Sequence, residues 1–175
     1  NSINPKLVQF NLMLPPVATL PSQVTPGAQA TTTPIVKGGN WPDDAATRSI
    51  FNNAGIPVVG TSSGSKPCTT VGQIGCTSVY NLPSAAVNGV IALKNACGCS
   101  VTVTGGTEYW EHRSHGSATR FVPIVDLDDN PALDKYIKNT GVRADNRNCG
   151  PVSAPKYTLK GAVYADEGNH WHVCY

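Results

Sequence analysis

Six cysteines constrain this chain more than any other feature: Cys68, Cys76, Cys97, Cys99, Cys149 and Cys174. Their number is even, and no two have the Cys-x-x-Cys spacing of a zinc knuckle or a thioredoxin-like site. Only 14% of the residues are charged, and 17 Gly and 14 Pro make turns abundant. In that setting the cysteines read as disulfides of an exported protein, secreted or held at the cell surface. Six buried thiols are the alternative. Cys68 and Cys76 close a short glycine-containing loop and are expected to be joined. Cys174 is expected to pair with Cys97, Cys99 or Cys149.

A length of 175 residues with 40% apolar content suits one domain with room for a tail. The net charge of +2 comes with no basic stripe, which argues against nucleic acid. No apolar run approaches the ~18 residues of a membrane span. Residues 1–40 include "LPPVATLPSQVTPGAQATTTP", rich in Pro and Thr and without helical period. This segment reads as an extended N-terminal arm or linker. Its proline-free stretch "KLVQFNLML" is expected to pair with a sheet edge, of its own domain or of an adjacent copy.

Residues 41–175 read as the folded domain. "PDDAATRSIFNNAG" predicts a helix capped by Asp43 or Asp44 and ended by Gly55. "PSAAVNGVIALKNACG" predicts a second, with Ser84 as cap and Gly98 as stop. "DNPALDKYIKNTG" predicts a third, capped by Asp129 or Asn130, with Pro131 in its first turn. "SVTVTGG" reads as an alternating strand, and "FVPIVDLD" as a strand placed at an edge or bulge by Pro123. "KYTLKGAVYA" and "HWHVCY" read as strands joined by a "DEGN" turn. The fold class is therefore α+β, a small, mainly antiparallel sheet with helices.

All four histidines fall in two clusters: His112 and His115 in "EHRSHG", and His170 and His172 in the terminal "HWHVCY". Residues two apart on a strand share a face, so His170 and His172 point one way and Trp171 and Val173 the other. Asp126 ends an apolar strand, where a carboxylate is costly without a partner. A metal is such a partner: zinc takes imidazole nitrogen and carboxylate oxygen, and a catalytic site needs three protein ligands and an open position. His115, Asp126 and His172 make that set. His170, Glu167 or Asp166 would then take a proton from metal-activated water. His112, Glu108 and Glu111 are expected at the surface, Trp110 and Trp171 in the core or a pocket wall.

"SHG…VDL" followed by a terminal His-x-His resembles the LAS zinc metallopeptidases, which include D-Ala-D-Ala carboxypeptidases, murein endopeptidases and the zinc domain of Hedgehog proteins. The resemblance covers about residues 100–175. It implies a small antiparallel sheet carrying zinc (Zn2+), with helices on one side, and cleavage of peptidoglycan stem peptides or cross-bridges. It implies His115, Asp126 and His172 as ligands. Glu167 and His170 also fit the Glu-x-x-His spacing of other members, with His170 then the ligand and Glu167 the base. The spacer 116–125 is longer than the family's, and His112 is the substitute for His115. Arg113 and Arg120 are the candidates for binding a substrate carboxylate, with Trp171 beside them.

The reading that follows is an exported zinc peptidase acting on peptidoglycan peptides. A structural or assembly subunit is the alternative, using the domain as scaffold and self-associating through residues 1–40. A module that binds wall peptides without cutting them is a third.

Overall fold

The computed structural model describes residues 35–59 and 66–175. The foreseen edge pairing of "KLVQFNLML" lies outside the described residues. Helix α1 spans Ala45–Asn53, α2 Ser84–Cys97, and strand β1 Val103–Gly105. A 3-10 turn, Arg113–His115, leads into a small ribbon of β2 (Gly116–Ser117) and β3 (Arg120–Phe121). Then follow β4 (Ile124–Asp128), α3 (Pro131–Thr140), β5 (Val142–Arg143), β6 (Lys156–Leu159), β7 (Ala162–Asp166) and β8 (His170–Cys174). Six of the strands form one sheet in the order β1-β4-β8-β7-β6-β5, with every neighbouring pair antiparallel. The α+β expectation therefore holds.

Strand alternation assigns the two faces of this sheet. Val125 and Leu127 of β4, Tyr164 of β7, and Trp171 and Val173 of β8 share one core with Phe51 of α1, Val90 of α2, and Leu133 and Ile137 of α3. All three helices thus cover one face. Local chemistry explains their ends. Asn130 caps α3 by accepting the Leu133 N–H at 3.0 Å, ahead of Pro131. Gly98 ends α2 in the left-handed region, donating to Lys94 O at 3.1 Å. Asp43 accepts the Ala45 N–H at 3.0 Å, whereas Asp44 turns inward to Arg48 and the Val79 N–H.

Several expectations need correction. Ser84 does not cap α2; Pro83 occupies that position and α2 has no side-chain cap. "SVTVTGG" yields a strand of only three residues, all buried, because β1 is enclosed on both faces. Pro123 neither bulges nor marks an edge: it separates β3 from β4, and β4 lies inside the sheet between β1 and β8. "KYTLKGAVYA" is itself a hairpin, β6–β7. Its turn residues Lys160 and Gly161 both have positive φ, 50° and 88°, the requirement of a tight two-residue turn. Residues 38–40 also pair with the loop at 70–71: Gly38 N donates to Val71 O at 3.0 Å, Val71 N to Gly39 O at 2.8 Å, and Asn40 bridges Thr70.

The three disulfides are Cys68–Cys76, as expected, Cys149–Cys174, one of the three foreseen options, and Cys97–Cys99. Cys149–Cys174 ties the segment between β5 and β6 to the last strand, across the sheet face that the helices leave free. Such bonds belong to an oxidising environment. No helix among the described residues is long and apolar enough to cross a membrane.

Candidate metal centre

The register of the sheet places Gly105 opposite Asp126, Asp126 opposite His172, His172 opposite Ala165 and Ala165 opposite Lys156. This row of side-chain positions runs across the helix-free face. His115 reaches it from the 3-10 turn, whose backbone His115 N–H donates to His112 O at 3.0 Å. The result is a convergence of three buried groups from three segments. Asp126 Oδ1 lies 2.9 Å from His172 Nδ1 and 3.2 Å from His115 Nε2, and the two nitrogens are 3.4 Å apart.

Two of those edges, 3.2 and 3.4 Å, match the donor spacing around one cation, and the 2.9 Å edge is a hydrogen bond that would open by about 0.4 Å to admit it. Donor atoms at ~2.0–2.1 Å from a tetrahedral zinc lie about 3.3–3.4 Å from each other. The outer contacts support the same assignment. His115 Nδ1 donates to Gly106 O at 2.6 Å, which fixes the tautomer and leaves Nε2 as the free lone pair. Burial by itself would raise the Asp126 pKa, but the hydrogen bonds and charges of His115, His172 and His112 outweigh it. The carboxyl is held well below the usual carboxylate range, so a buried anion faces imidazole nitrogens.

Glycines make the space. A Cβ on Gly105 would collide with Asp126 Oδ2, and one on Gly106 with Ser78 O. Around them is a network that a surface assignment for Glu108 and His112 misses. Glu108 is fully buried and accepts from Ser78 N at 2.6 Å and Gly106 N at 2.8 Å. His112 is half-buried, with Nε2 3.3 Å from Glu108 Oε1 and Nδ1 3.1 Å from Asp126 Oδ2, stacked on the His115 ring. Burial opposes protonation of His112, but the Glu108 hydrogen bond and the charges of Asp126, Glu108 and Glu111 outweigh it and raise its pKa. His112, His115 and Asp126 thus also form a group able to hold a metal. A second such group is Cys149, His172 and Cys174, whose two sulfurs are joined in the folded protein.

The centre opens into a cleft of about 560 Å³ bordered by Arg113, Asn148, Gly150, Glu167 and His170. Glu167 Oε2 is 3.6 Å from His170 Nε2, and its Oε1 is 4.0 Å from His172 Nδ1. His170 Nδ1 donates to Asn169 Oδ1 at 2.8 Å, and Nε2 lies 3.7 Å from Asp126 Oδ1. Both His-x-His nitrogens therefore face the centre, with His172 the nearer.

Three expected site residues are not there. Asp166 sits on the opposite face, paired with Lys138 Nζ at 2.9 Å, because residue 166 alternates with 165 along β7. Trp171 is buried among the helices, its Nε1 donating to Asp134 Oδ1 at 2.7 Å, so it cannot touch a substrate in the cleft. Arg120 lies exposed on β3, outside the cleft lining. Arg113 does line it.

No protein-family model, curated protein or solved structure matches this chain.

Proposed function

We propose that the protein is an exported zinc-dependent peptidase and that His115, Asp126 and His172 hold its metal. The observation that carries this reading is the triangle of 2.9, 3.2 and 3.4 Å between their donor atoms, open to a cleft on one side. Two imidazoles and a carboxylate are a zinc donor set with a position left for substrate. When bound, zinc supplies Lewis acidity toward a peptide carbonyl and acidifies water.

The chain's own groups supply the rest. Glu167 is the carboxylate at the cleft not committed to the triangle, and is the group to accept a proton and return it to the leaving amine. With Nδ1 donating to Asn169, His170 turns Nε2 toward the cleft as a second group for proton transfer. Arg113 borders the cleft and is the group to pair with a substrate carboxylate, which a guanidinium meets through two parallel bonds. Peptidoglycan peptides as the substrate class follow from the resemblance of "SHG…VDL" and the terminal His-x-His to LAS peptidases.

The test is metal analysis of the purified, oxidised protein, with product analysis after incubation with purified peptidoglycan. One zinc per chain and chelator-sensitive release of peptide fragments are expected. Glu167→Gln should keep its zinc and lose ~10²-fold or more in turnover. A protein that retains no divalent metal, or that cleaves equally well as Asp126→Ala, ends this reading.

A further inference from the structure

His172 has two edges, and the triangle uses only one. Nδ1 faces Asp126 and His115. The other edge faces the segment that carries Cys149: Cδ2 would lie 3.4 Å from a Cβ at Gly150, and the adjoining Nε2 is buried without a partner. Cys174 follows His172 by two residues on β8 and so projects from the same face. Donor atoms of Cys149, His172 and Cys174 all lie within 4.8 Å of one another, and all three residues border the cleft.

We infer a second metal site, formed when the Cys149–Cys174 disulfide is reduced, in which both thiolates and His172 Nε2 hold a zinc-type ion; the imidazole proton then sits on Nδ1, which donates to Asp126 and no longer offers a lone pair beside His115. The consequence for activity rests on the metal-centre reading above; the site itself does not.

The chemistry favours it. Two thiolates and one imidazole are a softer donor set than two imidazoles and a carboxylate, and zinc takes thiolate readily. In the disulfide the same sulfurs are poor ligands. Reduction passes two electrons and two protons from a dithiol reductant to the S–S bond, and the reductant leaves as its own disulfide. Metal binding then releases the two thiol protons. The sulfurs must separate to chelate. Cys149 can move, because it lies outside the strands and is followed by Gly150 in the left-handed region at φ 64°. Oxidation by a disulfide reverses the sequence: the S–S bond re-forms, the ion leaves Nε2, and the proton can return to Nε2 so that Nδ1 offers its lone pair again. The reduced chain therefore holds metal without Asp126 and His115, and the oxidised chain frees the His172 nitrogen that completes their set.

Cobalt(II) is the probe, because thiolate ligation gives a near-ultraviolet charge-transfer band that imidazole and carboxylate do not. The full chain reduced with a phosphine and loaded with cobalt should show the band, and the oxidised chain should not. Cys149→Ser/Cys174→Ser, which keeps the other four cysteines, should lose it. Asp126→Ala should keep it, which separates this site from the proposed catalytic centre. A second measurement needs no cysteine variant. In the reduced wild-type protein, zinc should protect Cys149 and Cys174 from alkylation, mapped by peptide mass, and His172→Ala should lose that protection. A reduced protein without the band, a band that survives in the double serine variant, or alkylation indifferent to zinc overturns the inference.

Discussion

Glu108 acts on the centre without facing the metal position. Its two oxygens accept from Ser78 N and Gly106 N, and Gly106 O in turn receives the His115 Nδ1–H. Its Oε1 also meets His112, which leans on the far oxygen of Asp126. Two of the three proposed ligands are thus oriented through one buried carboxylate. Glu108→Gln keeps the shape but turns an NH2 donor toward a backbone N–H donor, so one of those bonds is lost. Zinc affinity, read by competition with a chromogenic chelator, should fall ~10–100-fold, the usual consequence of disturbing an outer contact. Unchanged affinity would show that Gly106 is held without Glu108. The proposed ligands were legible as candidates from residue type, because a carboxylate at the end of an apolar strand demands a partner and His-x-His shares a face. Glu108 was not. Its partners are backbone groups, one of them 30 positions away in sequence, and nothing in a residue's type announces a bond to a distant N–H.

Among the elements, the terminal strand was the most readable part, since alternation assigns His170 and His172 to one face and Trp171 to the other, whereas the register that sets Asp126 opposite His172 came only with the fold. Alternation also holds the reason for the Asp166 error: a residue next to Glu167 in sequence faces away from it. The β6–β7 turn escaped because Lys160 takes the positive φ that an Asn or Asp usually advertises. The packing of α2 against the end of β8 was likewise invisible. A Cβ on Gly89 of α2 would run into the ring of Tyr175, so this glycine lets an aromatic ring lie directly on the helix backbone. Gly89→Ala sets two effects against each other. Helix propensity favours alanine by ~1 kcal/mol. Overpacking a buried contact costs ~1–3 kcal/mol, and the ring, closed in beside Tyr164, has little room to yield. The net expectation is destabilisation of up to about 2 kcal/mol in urea titration, with Tyr175→Ala in the same background removing the penalty. A stabilised Gly89→Ala protein would mean that the ring moves freely.

At the scale of the whole molecule, the helix-free face carries one covalent tie, Cys149–Cys174, and the helix-covered face is held by burial. The 25-residue separation closed by Cys149–Cys174 is worth about 3.5 kcal/mol on the chain-entropy account. That the chain is cross-linked was readable from its cysteine content; the pairing of Cys97 with Cys99 was not, because three candidates satisfied Cys174 equally. Burial at the other side sets an alkaline limit. Tyr164 and Tyr175 meet edge to face in the main core. Burial pushes the Tyr164 phenol up to about 12, and pushes Tyr175, whose hydroxyl is enclosed although the residue keeps some exposure, well above its ordinary value. In the unfolded chain both ionise near pH 10. Below that pH the folded and unfolded states carry the same neutral phenols, and neither tyrosine makes stability depend on pH. Above it the unfolded chain gives up protons that the folded chain keeps. Stability then falls by up to about 1.4 kcal/mol per pH unit for each tyrosine, until the folded phenol ionises in its turn. Lys138, whose pKa is raised chiefly by its hydrogen bond to Asp166, weakens over a similar range, so the tyrosine share is read as a difference. Tyr175→Phe keeps the ring over Gly89 and removes one ionising group. Between pH 10 and 12 its stability, from urea titrations at fixed pH, should decline with a shallower slope than that of the unaltered protein, and the two slopes should coincide below pH 9. Parallel slopes throughout would mean that the Tyr175 hydroxyl reaches solvent in the folded chain.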